Sequence, residues 1–406
     1  MSGPTCPGVA LVTLARVELT VPDRPTRLVF LMSTPPHETP HSAIARTGTS
    51  QPVALTARGT VAVRSAPNPE DRPIWPGTAG PSQGTPPRAP RSIRRTATLD
   101  ITFPKLGILL LHGTGRDLLT DASTSPIVLD QSETTVTVDH YARLVSAVEV
   151  PSADGDQHNA AQQLIGVPAT GKLRKMLGVF LPEEVSSGSL LAQLFDDVPA
   201  ATLIAGSALF RQGLIEPSPS SEKRRPQVDV CTGWQSGGVM AQAIIEDDIP
   251  YMGEGPLAPT LQSDTDPLAW HEFPPLSLGA MRRHRRLDIT ALEDPTDGYA
   301  LDIFFRDSFV EPDGRQSVVH EYSIIGTLDS QGVITAIVAT PHVIPGPECP
   351  GAAASAQRVI GLPLAEVRAH VTAEFSGITT CTHLNDMLRS LGATSTLLAN
   401  FIDNHS

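Results

Sequence analysis

The 406-residue chain is poor in aromatic side chains, at 4%, and poor in positive charge, with 30 Lys and Arg against 43 Asp and Glu for a net −13. The first shortage leaves core packing to aliphatic residues. The second argues against a nucleic-acid partner, because neutralising phosphates needs a basic surface. Two local runs, "RSIRRTA" (91–97) and "MRRHRRLD" (281–288), depart from that balance and are read as solvated strand beginnings rather than phosphate sites. Long apolar runs are missing too: nothing approaches the roughly twenty residues that span a bilayer. The opening "MSGPTCPGVALVTLARVELTVP" has neither a basic leader nor a long apolar centre, so it does not read as a signal peptide. Cysteine is scarce. Cys6, Cys231, Cys349 and Cys381 make no disulfide scaffold in a chain this long, and reduced thiols in a cytoplasm are the expectation.

What the chain does hold is punctuation and repetition. Its 38 prolines and 32 glycines interrupt secondary structure rather than extend it. "IRRTATLDIT" (93–102) recurs as "MRRHRRLDIT" (281–290), and Arg116-Asp117 recurs as Arg306-Asp307. "RLVSAVEVP" (143–151) parallels "VITAIVATP" (333–341), "LIGVP" (164–168) parallels "VIGLP" (359–363), and "ATLIAG" (201–206) parallels "STLLAN" (395–400). Phe180 and Phe375 each lie fourteen residues past the glycine of that pentapeptide. Matches in one order, at offsets drifting only between 188 and 195, read as two copies of one unit.

In each copy, strand-like stretches such as "GILLLHG", "TTVTV", "ALDIFF" and "EYSIIGTL" precede helical periodicity such as "LAEVRAHVTAEF" and "LNDMLRSL". That order predicts an α+β fold, an antiparallel sheet with helices packed on one face. The chain divides into a strand-rich segment (1–65), a proline-rich linker (66–92), a degenerate first repeat (93–210), a connecting segment (211–278) and a second repeat (279–406). Two lobes related like the subunits of a dimer are expected. "DSQG" (329–332) reads as a turn between strands.

The second copy differs from the first in its donor atoms. Aligned on the first, Cys381-Thr-His383-Leu falls on Ser187-Gly-Ser189-Leu, Cys349 falls beside Asp154, and His320 falls on Asp130. Serine at the paired positions points to a polar, accessible location. Cys349 directly precedes Pro350 and a short helix running to Gly361, which puts its thiol near a helix N-terminus. The dipole there favours thiolate, and the same applies more weakly to Cys381 before Leu384. Two thiolates and an imidazole suit zinc or iron with an open coordination position. The expected ligands are Cys349, Cys381 and His383, with His320 as fourth and His342 in reserve. The bland alternative is two cysteines at helix starts with no role and a core histidine bonded to backbone.

The run "DSQGVITAIVATPHVIPGPECPGAAASAQRVIGLPLAEV…CTHLNDMLRSL" resembles the IscU/NifU-N-type iron–sulfur scaffold proteins. By that likeness Cys349 matches the family's helix-opening cysteine, and Cys381 with His383 its His-Cys element, with order and spacing changed. The resemblance implies an IscU-like unit and an iron–sulfur cluster as cofactor. The second unit also resembles an uncharacterised bacterial domain family with an "RRxRR…D" opening and a C-terminal Cys-Thr-His-Leu signature.

Two decoys are set aside. "GILLLHGTGRD" (107–117) and "GPSQG" (80–84) mimic parts of α/β-hydrolases, but the second lies upstream in the proline-rich linker, outside a strand–turn–helix context. "CTGWQSGG", with Cys231 and Trp234, is read as structured linker rather than as an extra ligand. Three functions compete: a metal-dependent catalytic or accessory protein, an iron–sulfur scaffold or carrier, and an interaction protein with vestigial ligands. The partner expected is a protein or small molecule.

Overall fold

The computed structural model describes residues 15–19, 27–31, 77–151, 155–212, 228–242, 255–294 and 297–403. They fall in two units, Met1–Ala62 and Val63–Ser406. In the first, β1 (Ala15–Leu19) pairs antiparallel with β2 (Arg27–Leu31), both inside the segment 1–65 read as strand-rich. The rest of that segment, Cys6 included, lies outside the described residues.

The second unit is built on one eight-stranded antiparallel sheet in the order β10-β9-β8-β7-β3-β4-β5-β6. Its strands are β3 (Ser92–Lys105), β4 (Ile108–Thr120), β5 (Pro126–Asp139), β6 (Leu144–Glu149), β7 (Met281–Ala291), β8 (Tyr299–Val310), β9 (Gln316–Leu328) and β10 (Ile334–Val343). Each group of four is a meander closed by short turns. Gly107, at φ 81°, sits at the β3–β4 turn, and Asp329 takes the amides of Gln331 and Val333 at the "DSQG" turn. The helices are α1 (Gly155–Gln162), α2 (Leu173–Phe180), α3 (Pro182–Ser187), α4 (Leu190–Arg211), α5 (Leu364–Glu374), α6 (Thr382–Gly392) and α7 (Ser395–Asp403). Among the described residues, no helix is long and apolar enough to cross a membrane.

The two meanders meet where β3 pairs with β7, so the expected lobes share a single sheet. The register sets Arg94 opposite Asp288 and Asp100 opposite Arg282. Arg94 reaches Asp288 at 2.5 and 3.0 Å, and Arg282 reaches Asp100 at 2.5 and 2.6 Å. Ile93 and Leu119 pack in the C-terminal core, while Met281 and Phe309 pack in the N-terminal one. Each half thus lends two side chains to the other. The halves also match in detail. The register shifts after Asp117 on β4 and after Asp307 on β8, where Leu129 of β5 and Val319 of β9 bulge out of the pairing, and an isolated bridge joins Leu144 to Pro168 and Val333 to Pro363. At those bridges Gly166 and Gly361 both have φ above 80°, where a side chain would be strained.

The arginine runs are not solvated strand beginnings. Arg94, Arg95, Arg282, Arg283, Arg285 and Arg286 are all buried. Side chains alternate across a strand, so the run divides between the faces. Arg94, Arg282 and Arg306 are also capped by carbonyls of Pro86, Pro274 and Ser82, from the irregular stretches 77–91 and 255–279. Arg95 and Arg283 turn to the helix side and grip Asp117 and Asp307. A guanidinium paired with a carboxylate can lie inside a protein where an unpaired one cannot; the sequence shows the charge but not its partner.

On the helix side a polar seam separates the two apolar cores. Asp197 of α4 bonds Arg285 at 2.8 Å, and Asp196 bonds Arg174 at 3.2 Å and Arg368 of α5 at 2.6 Å. Asp386 of α6 accepts from Arg174 at 3.0 Å. The helices of both halves are therefore tied together through carboxylates on α4 and α6.

Candidate metal centre

The C-terminal half places its histidines at the edge of this seam. The β8–β9 register puts His320 opposite Asp307, beside the bulge. His320 Nδ1 lies 3.2 Å from Asp307 Oδ2, and Arg283 donates to the same carboxylate at 2.9 and 3.0 Å. Asp307 is fully buried. Burial alone would raise its pKa; Arg283 and the His320 bond overcome that and hold it well below the usual carboxylate range.

Cys381 is the N-cap residue of α6, in extended conformation at φ −120° and ψ 129°. That start swings His383, in the first turn, onto His320: the rings stack at 3.8 Å with 26° between planes. Phe305 lies 6.1 Å from the His383 ring, nearly parallel to it. Burial first, then His320, Arg283 and Arg285, push the His383 pKa well down despite Asp307, so its lone pair is free at neutral pH. Asp307, His320 and His383 each bring one ligand atom within 4.8 Å of the others. Cys381 Sγ stands 4.0 Å from His383 Nδ1.

Of the residues expected from sequence, His320, His383 and Cys381 are thus brought together. Cys349 is not part of that group. It opens a 3-10 helix (Cys349–Val359) rather than an α-helix, with Glu348 at the cap position and Pro350 second. His342 lies apart, bonded to Ser323 at 2.8 Å and to the Gly80 carbonyl at 2.9 Å.

The expected accessibility and acidity of the thiols are also corrected. Cys349 and Cys381 are only 6% and 5% exposed. Burial raises both pKa values, and neighbouring thiols add to it; amides at Gly346, and at Leu384 and His383, recover only part. Desolvation outweighs the helix terminus. Asp307 was legible as the counterpart of Asp117 but not as a neighbour of His320, because that proximity comes from hairpin register.

The N-terminal half shows the same frame without these donors. Asp117 pairs with Arg95 at 2.7 Å and faces Asp130 across the bulge. Burial and then Asp117 raise the Asp130 pKa. Ser189 Oγ accepts the Ala192 amide at 3.1 Å, capping α4 where Cys381 begins α6. The cap positions therefore set Cys381 against Ser189 rather than Ser187.

Residues 281–396 match the family model described as a protein of unknown function, DUF2889. The matched segment runs from the start of β7 into α7 and contains Asp307, His320, Cys349, Cys381 and His383. No curated protein and no solved structure matches the chain. Among these comparisons no likeness to IscU or NifU emerges.

Two imidazoles, a carboxylate and a thiol form a donor set suited to zinc or iron. The fit has one condition. Stacked imidazoles aim their in-plane lone pairs along nearly parallel planes, whereas two ligands of one ion must converge, so both rings could hold one ion only with the His320–His383 stack opened.

Proposed function

We propose that the chain is a zinc- or iron-binding protein whose ion is held where β8, β9 and α6 meet, by His320, His383 and Cys381 beside Asp307. The observation that carries this is the approach of one ligand atom each from Asp307, His320 and His383 to within 4.8 Å of one another, with the Cys381 thiol 4.0 Å from His383 Nδ1. Arg283 fixes Asp307, and Asp307 in turn orients His320; such a carboxylate behind a ligating histidine raises its basicity. A bound ion with an open position activates water or polarises a carbonyl. The role assigned is catalytic or accessory.

The same reading takes the chain as a tandem duplication whose first copy keeps the frame as a partner. Its support is the matched bulges, the matched bridges and the reciprocal Arg–Asp pairs. A second reading, an iron–sulfur cluster in an IscU-like unit, is favoured by Cys349 and Cys381 packing in the same buried cluster. Anaerobic purification followed by zinc, iron and acid-labile sulfide analysis separates the readings. Stoichiometric zinc or iron without sulfide supports the ion, and iron with sulfide supports the cluster. Metal-free protein with a silent Cys381→Ser variant rejects both and leaves the ligands vestigial.

A further inference from the structure

The sheet face away from the helices carries a different histidine arrangement. Side chains alternate along β9, so His320 and Tyr322 turn to the helix side while Glu321 and Ser323 turn to the other. On that other face His342 of β10 stands at the irregularity where the pairing passes from Pro341–Tyr322 to Val343–Glu321. Its Nε2 lies 2.8 Å from Ser323 Oγ, and its Nδ1 lies 2.9 Å from the Gly80 carbonyl oxygen. A carbonyl oxygen can only accept, so in the neutral ring Nδ1 carries the proton and Nε2 keeps its lone pair. Ser323 therefore donates its O–H to Nε2. That is the direction in which a base activates a hydroxyl nucleophile.

The Gly80 carbonyl is held in place. The run "GPSQG" (80–84), which mimics a hydrolase elbow in sequence, lies in a strap stitched to both strands. The Ala79 amide donates to the Pro341 carbonyl at 3.0 Å, and the Ser82 amide donates to Glu321 Oε1 at 2.6 Å. The same Glu321 oxygen stands 4.0 Å from His342 Nδ1. Glu321 is fully buried and fixed by Arg306 at 2.5 Å, so a carboxylate sits beside the ring to stabilise an imidazolium. Ser323 and His342 themselves are half-buried rather than sealed. The next cross-strand pair on this face is Ile325 with Val338, 59% and 51% exposed. An apolar surface thus lies beside the hydroxyl.

We propose that Ser323 is a nucleophile activated by His342, in a serine–histidine site that cleaves esters carrying a short apolar acyl chain. Ser323 Oγ bonds to the acyl carbon and gives its proton to His342 Nε2. The imidazolium, facing Glu321 and the Gly80 carbonyl, returns that proton to the leaving alkoxide as the ester C–O bond breaks. Water then cleaves the acyl-serine by the same route and releases a carboxylic acid. The inference is independent of the metal reading, because Asp307 and His320 turn to the opposite face of the sheet.

The test is reaction of the full chain with a fluorophosphonate, located by peptide mass spectrometry, beside hydrolysis of p-nitrophenyl acetate and butyrate with and without EDTA. The probe bonds its phosphorus to the attacking oxygen and loses fluoride, while His342 takes the proton. An adduct on Ser323 is expected, with hydrolysis that favours butyrate and is unchanged by EDTA. Ser323→Ala should lose the adduct and at least about a hundred-fold in hydrolysis. His342→Gln can still bond Ser323 and Gly80 but cannot take a proton, and should lose as much. An unlabelled Ser323 in the wild type overturns the site, as does wild-type hydrolysis in Ser323→Ala or His342→Gln. Hydrolysis abolished by EDTA belongs to the metal centre, which overturns this inference and leaves the proposed function standing.

Discussion

In the N-terminal meander Asp117 faces Asp130 across a bulge; in the C-terminal meander Asp307 faces His320 at the same place. Arg95 and Arg283 hold the first carboxylate of each pair in the same way. A serine hydroxyl caps the helix beside one pair, and a cysteine stands at the helix start beside the other. The arginine–aspartate frame is common to both halves and therefore belongs to folding. At this place imidazole and thiol occur on the C-terminal side only, so the shared arginine–aspartate frame forms without them.

The frame is where the comparison breaks hardest. Asp288 serves Arg94 and Arg286, whereas its counterpart Asp100 serves Arg282. Asp288→Ala leaves the buried Arg94 guanidinium without its carboxylate and Arg286 with Asp302 alone, and is expected to destabilise by about 3–5 kcal/mol in urea unfolding. Asp100→Ala should cost less, and a larger loss at Asp100 would remove the distinction drawn between the two ends of the β3–β7 junction.

Acid should weaken the tie between the halves next. Burial would raise the Asp196 pKa, yet Arg174 and Arg368 hold it well below the carboxylate range. A folded-state value under the unfolded one, about 3.9, gives stabilisation that is complete above that value and drains away as pH falls beneath it. Asp196→Asn should flatten the acid limb of the stability profile, and an unchanged limb would show that the carboxylate does not link α4 to α5 energetically.

Making the halves alike at the site is a smaller perturbation of stability and a large one of binding. His320→Asp copies Asp130 into the C-terminal half and should lower zinc or iron affinity at least about ten-fold, measured by competition with a chelator. The reverse change, Asp130→His, should create no site, because Ser189 offers no sulfur or imidazole. The smallest effect concerns the caps. Ser189→Ala should cost about 1 kcal/mol, while Cys381→Ser puts a hydroxyl at an N-cap whose thiol makes no cap bond and should change stability by less.

The repetition was legible because strands and the "LIGVP" and "VIGLP" exits keep their spacing, and α+β order followed from periodicity. Burial of the arginine runs was not, since a charge shows its solvated or paired state only when its partner is placed. His383 and Cys381 stood out against the serines of the first copy. Cys231 did not: its loop joins the others through hydrogen bonds to residues some 150 positions away.

The most direct measurement is Co(II) titration of the reduced, metal-free chain beside His383→Ala. Stoichiometric binding with intense visible bands and a sulfur charge-transfer shoulder, both diminished in His383→Ala, is the expected result. A wild-type chain that leaves Co(II) in its aqueous form, or a His383→Ala spectrum indistinguishable from wild type, would contradict a metal centre at this junction.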